Sequence, residues 1–101
     1  MGLNRGSMFN VKKSYMIDRK DVRDFQYESW HVIRLAEEEL DTGVDYYVGV
    51  VSDPLQDIEI SIAESYRYKD LGMALEKFRE LQIKYYGGVV KDFSVEEWEC
   101  M

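Results

Sequence analysis

One histidine, one cysteine and a run of carboxylates are the residues of this 101-residue chain whose types suit chemistry. Nucleophilic catalysis sets a Ser, Thr or Cys within hydrogen-bond reach of a base, and His31 is the only imidazole. It stands between Trp30 and Val32 in an apolar run, where it reads as a structural side chain of a strand. Cys100 is one residue from the C-terminus, so neither an internal disulfide nor a thiolate zinc site can form. Glu37, Glu38, Glu39, Asp41 and Asp45 offer hard oxygen donors, but they lack the alternating acids, central glycine and closing glutamate of a calcium loop. Gly87-Gly88 falls where a helix would end, and there the dipole repels anions instead of cradling phosphate. We therefore assign no catalytic residue, no metal ligand and no cofactor, and expect a noncatalytic protein.

What remains as a chemical signal is charge. The 13 Lys and Arg against 20 Asp and Glu give a net charge of −7. Six bases lie within residues 1–23 against two acids, whereas the 32 residues between Arg34 and Arg67 hold nine acids and no base. Tyrosines accompany the acids in pairs: Tyr46-Tyr47, Tyr66 with Tyr68, and Tyr85-Tyr86. Neighbours on a strand point to opposite sides, so one of Tyr46 and Tyr47 packs while the other faces water. Exposed tyrosine favours protein contact, because its ring is rigid and amphipathic. Arg34, Arg67 and Arg79 are candidate anion contacts among abundant carboxylate partners.

These residues need elements to position them. The content of 46 % hydrophobic and 14 % aromatic residues suffices for one modest core, which limits the chain to a single domain over 8–101. Residues 1–7 carry no pattern and read as an expression-derived or disordered leader. No apolar run reaches the roughly 20 residues that span a bilayer, and no secretory signal is present, so we expect a cytoplasmic protein. Asp18 to Phe25 suggests a short helical turn. Residues 28–41 are open between strand and helix, with the β-branched residues favouring strand. Val44 to Val51 alternates cleanly, with Val44, Tyr46, Val48 and Val50 inward. Asp57 to Glu64 does the same with Ile58, Ile60 and Ile62 inward, after a turn at Ser52 to Gln56. Asp70 caps a long amphipathic helix through Leu71, Ala74, Leu75, Phe78, Leu81, Gln82 and Tyr85, with Glu80 and Lys84 paired on its wet side and Gly87 as its stop. Val89 to Phe93 suits a short edge strand, and Ser94 to Glu97 a capping box that returns Trp98 to the body.

The expected fold is thus α+β: a small antiparallel β-meander of about three strands, covered on one face by a long C-terminal amphipathic helix, with short helical turns near both termini. Its acids would share the open face of the sheet. Glu37, Glu38, Glu39, Asp41, Asp45, Tyr47, Asp57 and Glu59 are the candidate partner-binding residues. Carboxylates arrayed on a rigid surface can occupy sites built for phosphates. The expectation is a noncatalytic acidic module that docks on a basic, nucleic-acid-binding groove of a partner protein and itself binds neither nucleic acid nor membrane. In size and charge the chain resembles small acidic phage inhibitors of bacterial defence enzymes, anti-CRISPR proteins among them; no motif is shared and no residue is carried over. Over 30–86 the hairpin-then-helix outline is similar to the WGR domain, without its Trp-Gly-Arg signature, which we read as convergence of a simple architecture. The alternative from a different class is a small ligand-binding homo-oligomer with sites at subunit boundaries.

Overall fold

In a computed structural model, residues 10–17, 31–52 and 61–101 are described. They form strands β1 (Asn10–Ile17), β2 (His31–Leu40), β3 (Gly43–Ser52) and β4 (Ser61–Tyr68), then helices α1 (Leu71–Tyr86) and α2 (Val95–Glu99). The strands make one antiparallel sheet in the order β1-β2-β3-β4. The described residues hold four strands where about three were expected. The additional one, β1, has a bulge between Val11 and Lys13 that breaks its alternation. Residues 31–40 settle as strand, and a tight turn at Asp41 and Thr42 leads to Gly43, whose φ of 134° suits glycine alone. The helical turn expected at 18–25, the leader 1–7 and the turn expected at 52–56, apart from Ser52 at the end of β3, lie outside the described residues.

A second bulge governs β4. Val50 pairs with Glu64 but Val51 pairs with Ile62, so Ala63 is the extra residue and the side-chain phase flips there. Tyr66 and Tyr68 therefore pack against the core while Ile62, expected inward, is 65 % exposed on the other face.

Helix α1 follows the sequence closely. The Asp70 carboxylate accepts from the Met73 amide at 3.0 Å, and Gly87 closes the helix at φ 84°. Its buried stripe is Leu71, Ala74, Leu75, Phe78, Leu81, Gln82 and Tyr86. Tyr86 takes the place expected for Tyr85, and its hydroxyl lies between the carbonyls of Ile17 (3.1 Å) and His31 (2.5 Å), with its one proton shared between them or given to the nearer, joining the end of β1 to the start of β2. The stripe lies on Ile17, Ile33, Leu35, Val48 and Val50, the inner face of the sheet. Residues 89–93 form a loop, not a strand, and Ser94 and Glu97 make the expected capping box, returning Trp98 to full burial. No helix among the described residues is long and apolar enough to cross a membrane.

Where α1 meets the edge strand β4, one carboxylate gathers three donors. Glu64 accepts from Lys84 Nζ (2.5 Å), Tyr85 Oη (2.5 Å) and Tyr66 Oη (2.6 Å). Lys84 thus serves Glu64, and Glu80 is paired with Lys77 instead. The three hydrogen bonds, led by that of Lys84, hold the Glu64 carboxyl at about 2, below its ordinary 4.5. A carboxyl whose folded pKa is depressed stabilises the fold above its unfolded value and loses that contribution as pH falls through the folded one. In thermal melts at a series of pH values, Glu64→Gln should lower Tm most above about pH 5, and the gap to wild type should close between about 4.5 and 2. A gap that stays constant with pH would remove the ionic role of this clasp.

Candidate binding face

Strand alternation divides the acids that the sequence placed together. Of three consecutive glutamates, Glu38 points to the outer face of the sheet, while Glu37 and Glu39 point to the helix side. Glu37 accepts from the Trp98 indole N–H at 3.3 Å and lies 4.0 Å from Lys13 Nζ. Glu39 pairs with Lys12 at 3.5 Å, and Asp41 is exposed in the β2–β3 turn. Asp45, on the outer face, pairs with Lys69 at 2.9 Å. Glu38 is only 3 % exposed and pairs with Arg67 two strands away. Asp57 and Glu59 lie outside the described residues. Among the described residues the candidate acids therefore do not form an open array of carboxylates. Antiparallel register brings bases from outside the acidic gap, Lys12 and Lys13 from β1, Arg67 from β4 and Lys69 just after it, onto four of the five described candidate acids.

Near Tyr46, acids do converge. Burial, followed by the charges of Glu37, Glu99 and Asp70, pushes its phenol pKa up. His31 meets Tyr85 at a tilt of 40° with ring centroids 4.8 Å apart, and burial lowers its pKa. Cys100 is exposed as the C-cap of α2. Among the described residues no three His, Cys, Asp or Glu side chains gather in a way that would hold a metal ion.

The outer face has a different chemistry from the one its sequence suggested. Tyr47 stands on it as expected, and its ring lies along its own strand over Gly49, where any Cβ would collide with the phenol. Glycine is required there for that pose. The Arg67 guanidinium sits 5.3 Å from the Tyr47 centroid while also holding Glu38. Beside this layer is a depression of about 560 Å³, lined by Ser14, Arg34, Ala36, Ile62, Ser65 and Tyr47 among others. Arg34 faces Gly49 across the sheet, and its guanidinium N–H reaches the Met16 sulfur at 3.5 Å. Val11 and Met16, each 50 % exposed, and Ile62 add apolar surface to the same face. Both helices pack on the opposite side, and no described element covers this one.

Ser14, Met16, Ile62 and Ser65 were not identified as site residues from the sequence. Two bulges set their phase, and no periodicity announces a bulge. Arg34 and Arg67 had a visible signal, the ends of the acidic gap, but their meeting with Tyr47 required the register. No protein-family model, curated protein or solved structure matches the chain.

Proposed function

We propose that this chain is a noncatalytic, cytoplasmic protein-binding module whose contact surface is the outer face of its sheet. The observation that supports it is the combination of exposed Val11, Met16 and Ile62 with Tyr47 and two arginines on one face that no described element covers. Aromatic, methionine and arginine side chains are enriched in protein interfaces, and such a patch on a small domain invites a partner. A net charge of −7 still favours encounter with a basic partner, such as a nucleic-acid-binding enzyme. The contact itself is amphipathic and not a phosphate-like array, because Glu38 and Asp45 are already engaged by Arg67 and Lys69.

Photocrosslinking distinguishes this face from the rest of the surface. A benzophenone amino acid is placed at Met16 or Ile62, or at Met73 or Ile83, which are similarly exposed on α1 (53 % and 55 %). In native cell extract, one and the same adduct should form from the two sheet positions and not from the helix positions. Ile62→Asp should abolish the adduct formed from Met16. Equal crosslinking from all four positions, or adducts from the helix alone, would overturn the assignment.

A further inference from the structure

We infer that the depression between Arg34 and Tyr47 is a binding site for a carboxylate carried on a flat apolar body. This rests on the outer face being the binding surface, but not on the partner being a protein. In a chain of net charge −7, the lining of this concavity carries two arginines, Arg34 and Arg67, against one acid, Glu38. That acid is turned onto Arg67, so the local balance is positive beside Arg34. Among the described residues Arg34 has no carboxylate partner, and the acceptor it reaches is a thioether sulfur, a weak one. Its planar fork of donors matches a carboxylate in bidentate geometry. Tyr47, whose ring lies over Gly49 with the Arg67 guanidinium 5.3 Å from its centroid, forms one aromatic side of the depression. Ile62 and Val11 give apolar walls, and the hydroxyls of Ser14 and Ser65 give further donors. The volume of about 560 Å³ lies within the range of small-ligand pockets.

The test is a nuclear magnetic resonance titration of the full chain with benzoate, using benzamide as its neutral counterpart. Benzoate should shift the backbone amides of Ser14, Arg34, Gly49 and Ser65 saturably, and benzamide should not. Arg34→Gln should weaken benzoate about tenfold, the loss of one charge-assisted pair. Lys12→Gln, which removes an equal charge away from the depression, should leave it unchanged. N-acetylphenylalanine and its C-terminal amide separate the sources: tighter binding of the free acid than of benzoate identifies a peptide terminus, and the reverse identifies a free small carboxylate. Absence of a saturable shift, equal response to benzamide, or indifference to Arg34→Gln would overturn the site. If the site fails while Ile62 and Met16 still crosslink one partner, the contact face stands without its carboxylate pocket. If benzoate binds and no crosslink forms, the partner reading falls instead.

Discussion

Trp98→Ala should destabilise the domain by about 3–5 kcal/mol, the cost of emptying a large aromatic site. For a chain of this size the total stability is about 5–15 kcal/mol, and at about 4–8 °C per kcal/mol the variant should melt at least ~12 °C lower. Helix α2, five residues long, cannot hold itself together and forms because its one buried side chain docks. Trp98 is fully buried, edge-on to Phe93 at 5.8 Å, and Phe93 meets Tyr15 at 5.0 Å. Tyr15 in turn meets Phe78 of α1 at 6.2 Å, so the ring series ties the chain end to β1 and the main helix. The polar side of the indole is also engaged: its N–H donates to Glu37, and Lys13 lies 5.3 Å from the ring and donates to the Trp98 carbonyl. Removing the ring leaves a cavity and takes the donor from Glu37. Trp98→Phe keeps most of the apolar area but loses the N–H and part of the fused ring, so its cost should be smaller, about 2–3 kcal/mol. Urea unfolding followed by far-ultraviolet circular dichroism separates the two. A loss below about 1 kcal/mol for Trp98→Ala would mean that the tail is a passenger.

The same tail shows where the sequence could be read and where it could not. Ser94, Glu97 and Trp98 announce the capping box and the return of the chain, just as Asp70, the apolar stripe and Gly87 announce α1, because each signal is contained within a few consecutive residues. The alternation of Val44 to Val51 is equally local, and its inward residues Val48 and Val50 are fully buried. Non-local facts were hidden. The bulge at Ala63 moves Ile62 to the outer face without any mark in composition, and the bulge near Lys12 obscures β1. Charge was legible as a sum but not as a surface. Which base stands opposite Glu38 or Asp45 depends on strand pairing, and once Arg67 and Lys69 arrive the acidic face becomes an amphipathic one.

Gln82→Leu should cost about 2–4 kcal/mol even though it conserves volume and adds apolar surface, because it removes the anchor of the loop after α1. Gln82 has no exposure and lies in the apolar stripe of the helix, where its period alone suggests packing. Its Oε1 accepts from the amides of Val90 (2.6 Å) and Lys91 (2.8 Å), and its Nε2 donates to the Lys91 carbonyl (2.7 Å). Three backbone groups of a segment without regular structure are thus satisfied by one side chain, the role a strand ladder would otherwise play. Leucine removes all three of these hydrogen bonds, at about 1–3 kcal/mol for each group that neither water nor another partner reaches. Lys91 is exposed, so water recovers part of the loss. Gln82→Glu keeps both accepting positions but turns a carboxylate oxygen toward the Lys91 carbonyl, so it should rescue less than half of the deficit at neutral pH. Hydrogen exchange supplies the decisive measurement: in Gln82→Leu the Val90 and Lys91 amides should exchange faster than those of α1, by local opening and not by global unfolding. Unchanged protection at both amides would shift the anchoring of this loop to the Arg79–Asp92 ion pair at 2.6 Å and the Phe93 ring, which the substitution leaves in place.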